Sequence, residues 1–250
     1  MKKMSLLAIA ALMLAMLACS AGGWEVSINN DGRFAKGSGN VTTETRDVQG
    51  FDSIELNGLG DVEIIQGSEE GLTITTDDNL LPLITSEVKG STLVIGIEKG
   101  YNINLPSKLS FTIRLKDLKN LQISGLAEVK ADNLQLNDLT IGMSGGGSVK
   151  LRDLTANDIR IDISGIGNVE LDGSATSVRM DSSGGGNLDA ETLRCEEASI
   201  NISGVGHAGV WATESLDVRI SGGGEVSYYG RPQITRNISG VGSLNSLGEK

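Results

Sequence analysis

Histidine occurs once in this 250-residue chain, cysteine twice and proline three times, and only 3% of its residues are aromatic. Cys195 is the only thiol beyond Cys19. An intrachain disulfide framework and a cysteine-rich metal site are therefore excluded once Cys19 is used as argued below. The single histidine, His207, reads as a surface residue, and Cys195 as a buried or turn thiol rather than a nucleophile. With so few aromatic rings, a core must be built from Val, Ile and Leu. Basic residues are also short, 21 against 32 acidic, for a net charge of −11. That balance argues against nucleic acid and anionic lipid surfaces as partners, because both would repel it. Apolar residues never recur at the 3.6-residue period of a helix, so helical solenoids and bundles are excluded as well.

The one long apolar run stands at the start. Lys2 and Lys3 precede Leu6 to Leu17, and Met16-Leu17-Ala18-Cys19 forms a small-residue cleavage site ending in cysteine. Residues 1–18 therefore read as a lipoprotein signal, with Cys19 as the lipid-attachment residue of the mature chain. The run is too short for a membrane-spanning helix. Ser20 after the cysteine resembles the outer-membrane export pattern. Loss of Lys2 and Lys3 with the leader leaves 19 basic and 32 acidic side chains, a net charge of −13.

What the chain has in abundance is a returning phrase, Ser-Gly-x-Gly. Its serines are Ser124, Ser144, Ser164, Ser183, Ser203, Ser221 and Ser239, spaced 20, 20, 19, 20, 18 and 18 residues apart. Asn57-Gly58-Leu59-Gly60 is an outlying copy. A fixed period near 20 marks a solenoid in which each repeat is one coil. Around the phrase, apolar residues alternate with polar ones: Val129 and Ala131, Val149 and Leu151, Val169 and Leu171 after it; Ile159, Ile161 and Ile163 before the third copy. A period of two with β-branched residues predicts strands with one face buried. Each coil is thus expected to be two or three short strands, with the phrase as a corner. The glycines are expected to supply positive φ at that corner. The third position alternates Leu126, Gly146, Ile166, Gly185, Val205, Gly223, Val241, which predicts that a branched side chain packs over a glycine from coil to coil.

Residues 19–45, rich in Gly, Ser, Asn and Thr, read as a flexible tether. Residues 46–247 read as one β-helix domain, with 46–118 as irregular opening coils that cap the stack and 119–247 as the regular coils. Asn79-Leu80-Leu81-Pro82 interrupts the strand pattern and predicts a single helical turn. Only a short polar end, Ser243 to Lys250, is expected after the last copy.

Phe51-Asp52-Ser53-Ile54, Val62-Glu63-Ile64-Ile65-Gln66-Gly67, Leu93-Val94-Ile95 and then the repeated Ser-Gly-x-Gly together resemble the bacterial head GIN domain family of auto-transporter adhesins. The resemblance implies an all-β fold, a single-stranded right-handed parallel β-helix, on an exported protein. It carries no catalytic residues.

Two glycine-rich binding chemistries do not fit the residues. Dinucleotide-binding Gly-x-Gly needs a helix starting at the glycines, whereas strands follow every copy here. Calcium β-rolls use nonapeptides that no copy matches. The outward rows before each corner are more informative. One contains Gln122, Gly142, Asp162, Asp181, Asn201, Arg219 and Asn237, and its neighbour contains Arg160, Arg179 and Asp217. Stacking would set Asp162 beside Asp181, with Arg160 and Arg179 one row away and Asn201 above. These five residues form the candidate ligand face, for a cation or a sugar hydroxyl. No catalytic residue, resident metal or cofactor is expected. The reading is a non-enzymatic, outer-membrane lipoprotein, held to the membrane by its N-terminal lipid and displaying this face to a glycan or an envelope protein. A structural or signalling-associated envelope module without its own ligand is the alternative. A polysaccharide-active β-helix enzyme is a third, although the turns are too short to build its cleft. Oligomeric state is left open.

Overall fold

Alternating side chains give each twenty-residue length one apolar face, which turns inward, while its backbone edges pair with the lengths stacked on either side. The computed structural model describes residues 33–104 and 106–250. The signal, Cys19 and the first part of the tether lie outside the described residues. The opening strands are β1 (Arg33–Lys36), β2 (Val41–Arg46), β3 (Ser53–Asn57), β4 (Leu59–Gln66) and β5 (Gly71–Asp77). Then come β6 (Ile84–Lys89), β7 (Thr92–Ile97), β8 (Tyr101–Asn104) and β9 (Leu109–Leu115). The regular part contains β10 (Asn120–Ile123), β11 (Leu126–Asp132), β12 (Asp138–Met143), β13 (Gly146–Ile163), β14 (Ile166–Ser182) and β15 (Gly185–Ile202). It ends with β16 (Val205–Ile220), β17 (Gly223–Tyr229), β18 (Gln233–Ile238) and β19 (Val241–Gly248). Among the described residues the only helical element is the single 3₁₀ turn Leu81–Leu83, where the interruption at Pro82 predicts one.

The strands stack in parallel as a β-solenoid of about six turns. Equivalent residues are vertical neighbours. Val62, Val129, Val149, Val169, Leu188, Ala208 and Val226 form one continuous column. Ile54, Leu121, Ile141, Ile161, Met180, Ile200 and Val218 form a second. Every member of both columns is buried. Cys195 stands in a third inward column, between Ala175 and Ala212. Its Sγ lies 3.3 Å from the Trp211 carbonyl, and burial pushes the thiol up to about 12. It is inert packing.

Three expectations are corrected. Residues 33–45, expected as part of the tether, carry the strand β1 and most of β2. Here β2 pairs antiparallel with β5, while β1 pairs with β8. The segment is held by a buried carboxylate that its composition does not advertise. Asp77 accepts the Gly39 N–H (2.7 Å), the Ser107 N–H (2.7 Å) and the Ser107 hydroxyl (2.8 Å). The neighbouring Asn79 accepts the Ser38 N–H and donates to the Lys36 carbonyl. Burial pushes the Asp77 carboxyl up, but these donors outweigh it and hold the group below its ordinary value. Second, the chain end is not a bare polar tail, because β19 runs to Gly248 and stacks on β17.

The third correction concerns the corner glycines. The first glycine of each phrase, Gly125 through Gly240, has no positive φ. A Cβ there would instead collide with the carbonyl oxygen of the equivalent residue one coil below, as Gly165 over Gly145 or Gly184 over Gly165. Close approach of stacked backbones is what excludes a side chain. Only Gly60 and Gly147, at the fourth position, use positive φ. The alternating third position does place a branched side chain over a glycine of the next coil, Leu126 over Gly146 and Ile166 over Gly185, on the outside of the stack. Its branched residues point outward, where Leu126 is 67% and Ile166 76% exposed.

Candidate functional site

On a strand, residues i and i+2 share a face, and parallel stacking adds a like neighbour about 4.8 Å above and below. The five candidate residues are brought together in that lattice. Asp162 pairs in register with Asp181 and Asp181 with Asn201, while Arg160 pairs with Arg179. Arg160 donates two hydrogen bonds to Asp162, Nε to Oδ2 at 2.8 Å and a terminal nitrogen to Oδ1 at 3.0 Å, and also reaches Asp181 at 3.5 Å. Arg179 Nε donates to Asp181 at 2.9 Å, and the Asn201 amide donates to the same carboxylate at 3.1 Å.

The electrostatics follow from this wiring. The Arg179 guanidinium holds the Asp181 carboxyl below its usual range, against partial burial, with Asn201 adding to the effect. In return, Asp162 pushes Arg160 up and Asp181 pushes Arg179 up. Two acids and two bases therefore cancel. What faces solvent is a flat, charge-balanced patch with guanidinium and carboxylate groups already fixed in orientation. Such a patch can offer paired donors and acceptors to vicinal hydroxyls. A shallow hollow of about 300 Å³ lies against it, lined by Asp162, Ser164, Asp181, Ser183, Asn201 and Ser203. Among the described residues no three His, Cys, Asp or Glu side chains are grouped to hold a metal ion. His207 lies in its expected outward row, with its N–H donating to the Asn187 side chain.

The pairing belongs to a wider rule. Asp217 with Arg219 and Glu128 with Lys130 repeat the same i, i+2 arrangement. The frames Arg160-Ile161-Asp162 and Arg179-Met180-Asp181 were the signal for it in the sequence. A larger open hollow, about 740 Å³, had no such signal. It lies where the antiparallel β5 and β9 adjoin β4 and β11, with Glu63, Thr75, Lys108, Glu128 and Lys130 on its walls. Its walls meet only through pairings between segments distant in the chain.

A family model described as "Putative auto-transporter adhesin, head GIN domain" matches residues 50–232. Among solved structures, a "putative adhesin" from Bacteroides fragilis is similar over 85% of this chain and 100% of its own, at 29% identity and a TM-score of 0.82. A "putative lipid binding protein" from Parabacteroides distasonis is similar over 86% of this chain and 100% of its own, at 26% identity and a TM-score of 0.71. A "putative adhesin" from Parabacteroides merdae, at 21% identity, covers 86% of this chain and 99% of its own with a TM-score of 0.62, and shares the fold. No curated protein matches the chain.

Proposed function

Because this chain belongs to the head GIN domain family, we propose that it is a non-catalytic envelope protein that presents one wall of its solenoid to a glycan or an envelope partner. The family's description as an adhesin supports an envelope or surface location. Anchoring of Cys19 by lipid in an outer membrane is part of the proposal and rests on the leader sequence. The observation that carries the reading is the wiring of Arg160, Arg179, Asp162, Asp181 and Asn201. Acids bound to arginines are poor general acids and bases but good oriented partners for sugar hydroxyls. A lipid-binding role like that named for the Parabacteroides distasonis relative has less support. The apolar space beside the first coil, between Leu56, Ile95 and Phe111, is about 10 Å³, room for one water rather than an acyl chain.

The test is a printed array of bacterial and host polysaccharides probed with the full chain and with Arg160→Ala/Arg179→Ala. Capture by the parent with about tenfold weaker capture by the variant, or 1.4 kcal/mol, is the expected result. Failure of the parent to bind any glycan or isolated envelope fraction overturns the reading in favour of a module without its own ligand.

A further inference from the structure

The third position of the corner phrase forms a column of its own on the outside of the stack. Leu126, Gly146, Ile166, Gly185, Val205, Gly223 and Val241 follow one another coil by coil. The four aliphatic members are 67%, 76%, 71% and 88% exposed, the most exposed large apolar residues of the regular coils. The result is a ridge of knobs separated by notches, repeating every two coils, about 9.6 Å.

Of the three notches, Gly146 is covered from within by the Leu126 side chain, whose Cδ2 a Cβ there would meet at 2.7 Å, but the other two have no such cause inside the molecule. Gly185 has ordinary φ, and a Cβ added to it would meet only Ile166 at 3.7 Å. At Gly223 the nearest atoms would be 3.8 and 3.9 Å away. Both sites would hold alanine without a clash. Glycine within a strand gives up packing and adds backbone entropy to be lost on folding. These two are therefore unlike the first glycine of the phrase, where the coil below forbids any side chain. They keep space open for something outside the chain.

We propose that this ridge is a self-association surface, and that its occupant is the same ridge of a second copy, run antiparallel about a two-fold axis. One column supplies both the knobs and the notches, at one period, so the surface is complementary to itself as an isologous contact requires. Antiparallel pairing sets Ile166 of each copy into Gly223 of the other, and Val205 into Gly185. Charge agrees. The chain carries a net −11, yet the ridge is flanked by the corner serines on one side and by Ser148, Asn168, Asn187 and His207 on the other, with Glu128 and Glu225 only at the two ends of that row, and the antiparallel register sets Glu225 against Asn168 rather than another acid. Two copies can meet there without opposing acids.

The seven members of the column, six spacings apart end to end, span about 29 Å, and a strip three residues wide covers on the order of 400 Å² per copy. That is about half the standard interface, so the pair is weak and belongs to high local concentration.

The test traps it covalently. Ile166 and Gly223 lie three coils apart within one chain, about 14 Å, and in contact across the pair. The full chain bearing Ile166→Cys/Gly223→Cys, oxidised in detergent at high concentration, should give disulfide-linked dimers above the background that the parent chain sets through Cys19. Sedimentation equilibrium should show at least tenfold weaker association for Val205→Ser and for Gly185→Leu, with unchanged far-ultraviolet spectra. Crosslinking at background overturns the proposal, including the case where the ridge variants instead lose binding to a glycan or a lipid vesicle. Association that survives Gly185→Leu overturns it as well.

Discussion

At the residue scale, two glycines at adjacent positions of the phrase, one coil apart, do opposite work. Gly165 is pressed against the backbone of Gly145, so Gly165→Ala must separate the coils. Gly185→Ala has room, and restricting the unfolded chain there is expected to leave stability unchanged or raise it by about 0.4–1 kcal/mol. Thermal unfolding followed by circular dichroism should thus show a large loss of Tm for Gly165→Ala, in the class of severe backbone clashes above about 4 kcal/mol, and none for Gly185→Ala. Equal effects would refute the distinction. The sequence made the phrase conspicuous and left its reason hidden. Positive φ and close approach both select glycine, and only the register of Gly165 over Gly145 separates them. The wiring of the candidate site was legible in part: the Arg-x-Asp frames place both side chains on one face, and a twenty-residue period brings Asp162 to Asp181. That Arg160 would reach across to Asp181 depends on rotamers no pattern encodes.

At the element scale, the columns of β10 through β17 were readable because alternation and period are local and repeated. The antiparallel strand β2 was not, since it depends on a partner far along the chain, and a Thr-rich stretch such as Val41 to Thr45 suits a tether as well as an edge strand. What settles it is Asp77, gripping the Gly39 N–H and Ser107. Its folded-state carboxyl titrates below the ordinary 3.8, so its contribution is complete above that value and is lost as pH falls through the depressed one. Hydrogen exchange of residues 33–46 is expected to accelerate below pH 3.8 while the columns of β13 to β15 stay protected. Asp77→Asn should bring that exchange to neutral pH. Protection of 33–46 that is unaltered by the substitution would show that the clasp is not electrostatic.

At the scale of the whole molecule, the two ends of the solenoid are treated differently. The first coil is covered by β5, β6 and the 3₁₀ turn. The last coil, β18 and β19, pairs on one side only among the described strands. There the column running through Ile200 and Val218 ends on Arg236, an exposed cation in an inward position. A charge aimed into the groove of an edge strand opposes docking of another strand. Arg236→Val is expected to convert the end into a template, and light scattering at fixed concentration should rise over hours for the variant alone. A clear solution from both proteins would mean that the edge is guarded by something else. The columns also carry a mechanical consequence. Their hydrogen bonds run along the long axis, so tension between the ends loads them a coil at a time instead of all together. Each coil that peels away frees on the order of 60 Å of slack before the next is strained, and a molecule built this way lengthens in steps under a pull that would snap a sheet sheared across its strands.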